Sequence, residues 1–296
     1  MENKKVAFIT LGCKVNQYET NAMIQKFKEN KYEIVDFDQK ADIYIINTCT
    51  VTNMADRKSR QMLRKVKEIN PKALLVAVGC YAQVAKEELE KIPEIDLILG
   101  TNEKNDIVNY VEKMEKENKK QVFEMIADVM HCEKYVDFGN VTFTEKTRAV
   151  IKVQDGCDRF CSYCIIPYAR GHIRSRNPEN VIEEITKIAQ EGIKEVVITG
   201  IHLTSYGRDF KEQENFNNTN AKEKELEKGE VKDREETLKK VGNKDLKNKN
   251  SEFRLIDLLE KINNIEEIER IRLRFIRTNS HYRRFCRKII KTKKNM

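Results

Sequence analysis

The stretch "DGCDRFCSYCIIPYARG", residues 155–171, sets Cys157, Cys161 and Cys164 in a C-x3-C-x2-C run. Three thiolates within eight residues suit a metal group, and their number narrows the choice. A structural zinc site is closed by four ligands, often two C-x2-C pairs. Here no second pair follows, and His172 lies beyond Pro167 at a separation outside the usual ligand spacing. Three thiolates on a four-iron cubane leave one iron with an open position, and an open iron can bind and cleave a cofactor.

Three further cysteines share a different regularity. Cys13 lies three residues after the apolar run "KVAFIT" (5–10), Cys49 two after "DIYIIN" (42–47), and Cys80 two after "ALLVAV" (73–78). If these runs are parallel strands, their carboxyl ends share one edge, where open α/β sheets bind ligands. Any one of these cysteines alone reads as a small buried hydrophobe; three at matching offsets argue for one shared site. Gly12 and Gly79, directly before Cys13 and Cys80, let the backbone turn tightly there.

The elements that must position them follow from the same pattern. Helical periodicity is expected from about 16 to 29, 52 to 69, 84 to 91 and 103 to 118, between strands that include "YEIVDF" (32–37) and "IDLIL" (95–99). Short apolar, β-branched runs spaced by amphipathic helices mean βαβ units, hence a doubly wound, mostly parallel sheet in residues 1–140. The alternation restarts near Val141. "RAVIKVQDGC" is a strand leading into the cysteine loop, 177–192 a helix opened by Pro178 and closed by Gly192, and "IKEVVITG" (193–200) the next strand. This second unit, 141–273, reads as a (β/α) barrel that stops after about three strands.

Two segments break the pattern. Of the forty residues 211–250, 21 are Asp, Glu, Lys or Arg, too polar to offset the entropy of ordering, so a disordered insertion is expected there. Residues 271–296 carry ten Lys and Arg and no acid; without them the chain holds 46 basic against 48 acidic residues. The net charge of +8 is therefore a property of the tail and does not mark the folded body as a nucleic-acid binder. The abrupt loss of acids and periodicity from Arg274 suggests a frameshifted tail over 274–296, with a basic RNA-binding arm as the alternative. The start lacks a secretory h-region and no apolar run reaches the roughly 20 residues of a membrane span, so a cytoplasmic protein with reduced cysteines is expected.

The C-x3-C-x2-C run with an aromatic, Tyr163, before its last cysteine resembles the signature of radical S-adenosylmethionine enzymes. There the open iron chelates the methionine moiety and one electron cleaves the sulfonium to a 5′-deoxyadenosyl radical. In that family the aromatic at Tyr163 lies near the adenine, and Thr199 and Gly200 contact the methionyl end. "TLGCKVNQYET", "INTCTVTNMADRKSRQ" and "VGCYAQ", taken with the loop, are similar to the methylthiotransferases. Within them they most resemble the branch that methylthiolates C2 of N6-threonylcarbamoyladenosine beside the tRNA anticodon.

The resemblance implies two [4Fe-4S] clusters, one on Cys157, Cys161 and Cys164, the other on Cys13, Cys49 and Cys80 and carrying the sulfur to be transferred. It also implies S-adenosyl-L-methionine as cofactor, the tRNA anticodon loop as substrate and an electron donor such as flavodoxin or ferredoxin. Two alternatives stand beside it: the isopentenyladenosine branch, and a non-catalytic iron–sulfur scaffold or electron-transfer protein. A radical makes chemical sense for this substrate, because an adenine C2–H has no acidic proton for acid–base chemistry; the cofactor carries that step.

Overall fold

The computed structural model describes residues 3–117, 123–142, 147–210 and 253–274. The expected insertion and the basic tail beyond Arg274 lie outside the described residues.

The first unit is a six-stranded parallel sheet built from β1 (Lys5–Thr10), β2 (Glu33–Val35), β3 (Ile43–Thr48), β4 (Leu74–Gly79), β5 (Leu97–Leu99) and β6 (Phe123–Met125). Its order, β2-β1-β3-β4-β5-β6, is a doubly wound arrangement that reverses direction at β1 and β3. Strands buried on both faces read as continuous apolar runs, and β3 shows why. Ile43 and Ile45 pack on one face with Met23 and Phe27 of α1 (Lys14–Glu29) and Val111 of α5 (Ile107–Glu117). Tyr44 and Ile46 pack on the other with Leu63 and Val66 of α2 (Asn53–Ile69).

The helix expected near 84–91 begins earlier and is broken in two. It starts at Cys80 itself, as α3 (Cys80–Val84), and resumes as α4 (Lys86–Leu89). Cys80 thus sits in the first turn of a helix that follows β4 without a loop. Strand β6 was not legible in the sequence, and the expected helix near 103–118 opens as a 3-10 turn, Glu103–Asp106, before α5.

The second unit follows the expected restart. β7 (Arg148–Asp155), β9 (Glu195–Gly200) and β10 (Arg270–Leu273) are parallel, with two-residue β8 (Arg174–Ser175) antiparallel on the far side of β7. One face carries α7 (Pro178–Gln190) and α8 (Leu255–Asn263). Val181, Ile185 and Ile188 of α7, spaced at one helical stripe, close with Leu258 and Ile262 over Ile151, Val153, Val196 and Ile198. Each such side chain contributes about 1.5–3 kcal/mol of burial. Asn177 caps α7 by accepting from the backbone of Glu179 and Asn180, and Pro178 takes its first position. Among the described residues this is the strand–helix repeat of a barrel, three parallel strands of it, with half-exposed β10 at the edge.

The opposite face of the second sheet meets α1. Tyr18 and Ala22 pack with Phe138, Val141 and Val150, so α1 is clamped between the two sheets. A helix with two apolar neighbours buries more than one stripe, and ten of its sixteen residues are buried, Asn16, Glu19 and Thr20 among them. Asn16 and Glu19 both accept from Arg170 of the second unit. No described helix is long and apolar enough to cross a membrane.

Candidate metal centre

The three N-terminal cysteines emerge from one sheet edge. Gly12, at φ +93°, turns the chain after β1 so closely over Cys49 that a Cβ at Gly12 would strike the Cys49 sulfur. Gly79, at φ +108°, leaves no room for a Cβ beside Asn47 and the Thr48 backbone, and so delivers Cys80 into α3. Burial pushes the Cys49 and Cys80 thiols up, and each also feels the Cys13 sulfur; Arg170 opposes both effects.

Asn16 holds this edge together. Its Nδ2 donates to the Leu11 carbonyl at 2.8 Å and to the Thr48 carbonyl at 3.0 Å, tying the turn before Cys13 to the residue before Cys49. The Thr48 hydroxyl donates to the Val78 carbonyl at 2.8 Å and accepts from the Ala82 backbone at 3.3 Å, linking that strand end to the start of α3.

The second triplet lies on the loop after β7. Cys157, Cys161 and Cys164 are half-buried, the Cys164 amide donates to the Cys161 carbonyl, and the Cys157 amide donates to the Gly171 carbonyl at 3.0 Å. Gly156, at φ +69°, passes under His172, whose carbonyl a Cβ would strike. Gln154 sutures the base of this loop to the end of β9: its Nε2 donates to the Asp155 and Gly156 carbonyls, and its Oε1 accepts from the His202 amide at 2.7 Å. The His172 ring pairs with Asp158 at 2.8 Å.

The residues expected at a cofactor fall around this loop. Thr199, paired with Lys152 across the β7–β9 ladder, is buried with its hydroxyl unsatisfied, and Gly200 sits so close to Gln154 that a Cβ would come within 2.9 Å of it. A buried hydroxyl without a partner costs free energy unless something accepts or donates there. Tyr163 stands out from the loop, 82% exposed, near exposed Phe160, Ile165 and Tyr168.

Sequence reading missed the charged lattice that joins the two triplets. Arg170, the last residue of α6 (Ile166–Arg170), is fully buried. One terminal nitrogen donates to Glu19 at 2.8 Å and to Asp155 at 3.0 Å, the other to Asn16 at 2.6 Å and to Glu19 at 3.2 Å, and its Nε to the Cys80 sulfur at 3.2 Å. Lys104 also pairs with Glu19, and Lys152 with Glu19 at 2.7 Å and Asp155 at 2.6 Å. Burial alone would raise the Glu19 pKa, but Arg170, Lys104 and Lys152 outweigh it and hold the carboxylate well below the usual range. Three buried cations thus face two carboxylates. The signal available was "VNQYETN", where Asn16, Glu19 and Thr20 recur at the spacing of a buried helical face.

Among the described residues, no group of three His, Cys, Asp or Glu closes around a single metal ion. A four-iron cubane asks for a wider frame, because each thiolate binds a different iron at a separate corner. The donors fit it: all six cysteines are free thiols, soft ligands suited to iron–sulfur clusters, and the excess buried positive charge beside Cys80 calls for an anionic partner.

Comparison with known proteins finds two family models along the chain. A model of an uncharacterized protein family, UPF0004, matches residues 5–100, and the radical SAM superfamily model matches residues 151–291. The chain is 46% identical over 207 residues to the threonylcarbamoyladenosine tRNA methylthiotransferase MtaB of Bacillus subtilis, covering 70% of this chain and 46% of that protein. It is 39% identical over 211 residues to the ribosomal protein uS12 methylthiotransferase RimO of Desulfitobacterium hafniense, covering 70% and 46%. It is 34% identical over 223 residues to the tRNA-2-methylthio-N(6)-dimethylallyladenosine synthase of Desulforamulus reducens, covering 73% and 48%. The chain spans about half the length of these relatives. Both halves are matched in turn, and along about 70% of its length the chain is similar to radical S-adenosylmethionine methylthiotransferases.

Proposed function

We propose that this chain carries the two cluster-binding units of a tRNA methylthiotransferase that acts on C2 of N6-threonylcarbamoyladenosine. The observation that carries the reading is that Arg170-Gly171 touches a member of each free cysteine triplet, the Cys80 sulfur by the Arg170 Nε and the Cys157 amide by the Gly171 carbonyl. Cys157, Cys161 and Cys164 would hold one [4Fe-4S] cluster, and Cys13, Cys49 and Cys80 a second. When bound, the first supplies reductive cleavage of S-adenosyl-L-methionine to a radical and the second the sulfur to be transferred.

The chain's own residues bind and orient. Thr199 offers its unsatisfied hydroxyl to the cofactor, Gly200 allows close approach, and Tyr163 offers a ring for the adenine. Gln154 locks the two loops that flank the cofactor, so that cofactor and cysteine loop move together. Exposed Phe160, Tyr163 and Tyr168 are stacking surfaces for a base splayed from the anticodon loop. An electron donor such as flavodoxin or ferredoxin would deliver the reducing electron in a cytoplasmic setting.

Mass spectrometry of tRNA nucleosides from a strain lacking the locus tests the substrate. Loss of the 2-methylthio form of N6-threonylcarbamoyladenosine is expected. Loss of the isopentenyl derivative, or of a methylthio group on ribosomal protein uS12, would move the assignment to a sister branch; an unchanged nucleoside and protein profile would favour the scaffold reading.

A further inference from the structure

We infer that Arg170 is a positioning residue of the Cys13–Cys49–Cys80 centre, raising the reduction potential of the cluster held there. The inference rests on the two-cluster reading above and goes beyond it. Salt bridging alone does not account for the geometry. The two terminal nitrogens of Arg170 already serve Glu19, Asp155 and Asn16, yet the third donor edge, Nε, is turned onto the Cys80 sulfur at 3.2 Å. A neutral thiol is a weak acceptor, and a thiolate a much stronger one because the bond becomes charge-assisted. The arrangement is therefore matched to a Cys80 that carries negative charge.

The surroundings say the same. Arg170 lies in a contact group with Lys104, Lys152, Glu19 and Asp155, three cations against two carboxylates, all buried. Leaving a charge uncompensated in the interior is costly. The surplus positive charge points at the sulfur, where an anionic cluster would offset it. Reduction adds a further negative charge, so a buried cation and an N–H···S hydrogen bond both favour the reduced form and raise the potential. The next residue couples the other centre: the Gly171 carbonyl accepts from the Cys157 amide at 3.0 Å. Gly171, at φ +72°, is wedged so tightly against the Val129 backbone that a Cβ would overlap it. The dipeptide Arg170-Gly171 thus touches one triplet by its side chain and the other by its backbone.

The test uses the full chain with Cys157, Cys161 and Cys164 replaced by Ala, reconstituted anaerobically with iron and sulfide so that only the N-terminal centre is loaded. Arg170→Gln and Arg170→Lys are placed on this parent, iron is counted, and the midpoint potential is read by titration followed with electron paramagnetic resonance. A lower potential in the glutamine variant than in the parent, with the smaller drop in the lysine variant, is expected. If the glutamine variant holds no iron, the lysine variant decides by the same criterion. A loaded variant at the parent potential overturns the inference, and so does loss of iron from both variants, which would make Arg170 an assembly element. A parent without iron removes the two-cluster reading and this inference with it; a loaded parent indifferent to Arg170 removes this inference alone.

Discussion

Gly12 shows how a single residue sets the edge from which three cysteines emerge. Its φ of +93° is open to Gly at little cost and strains any other residue, and a side chain there would also strike the Cys49 sulfur. Gly192, at φ +91°, carries the same backbone strain with nothing within 4 Å of an added Cβ. Gly12→Ala is thus expected to lose the iron of the first triplet, about half the total, while Gly192→Ala keeps all of it. Equal, full iron in both variants would show that the approach of Gly12 to Cys49 does not govern that edge. At this scale the cysteines and their glycines were legible, because strand ends and turns leave local marks. Arg170 was not. Burying a guanidinium is a tertiary decision, made by acids and a sulfur brought from 15 to 151 residues away.

Among the elements, α1 bears most of the joint, since it packs on both sheets and carries Asn16, Tyr18 and Glu19 into the gap. Glu19 is held well below its ordinary pKa of 4.5 by Arg170, Lys104 and Lys152, against the push of burial. A carboxylate depressed on folding stabilises the fold fully above its unfolded pKa, and that contribution fades as pH falls from 4.5 through the lowered folded value. Glu19→Gln leaves three buried cations with one carboxylate, so stability at pH 7 should fall by about 3–5 kcal/mol. The acid side of the stability curve should flatten as well, read by denaturant unfolding between pH 7 and 2. A variant with unchanged stability and an unchanged acid limb would remove Glu19 from the lattice. Long elements were legible from period and caps; β8 was not, since two residues paired to the end of β7 have no period of their own. Five-residue α6 was missed for the same reason.

For the molecule as a whole, the division into a doubly wound sheet and a barrel-like restart was readable because the strand–helix alternation stops and begins again. How the units meet was not, because the joint is polar. Beyond the Arg170 lattice it includes Arg176, fully buried and bonded to Glu184, to the Tyr18 hydroxyl at 3.2 Å, to Asp137 and to the Gly139 carbonyl. A buried polar network of this kind rigidifies the joint between the units that carry the two cysteine triplets. The proposed function therefore requires two centres. Iron analysis of the anaerobically reconstituted chain tests that most directly, against one variant with Cys13, Cys49 and Cys80 replaced by Ala and another with Cys157, Cys161 and Cys164 replaced. About eight iron per parent chain and about four in each variant are predicted, two cubanes on three thiolates apiece. Loss of all iron from either variant would mean one shared site and would contradict the account.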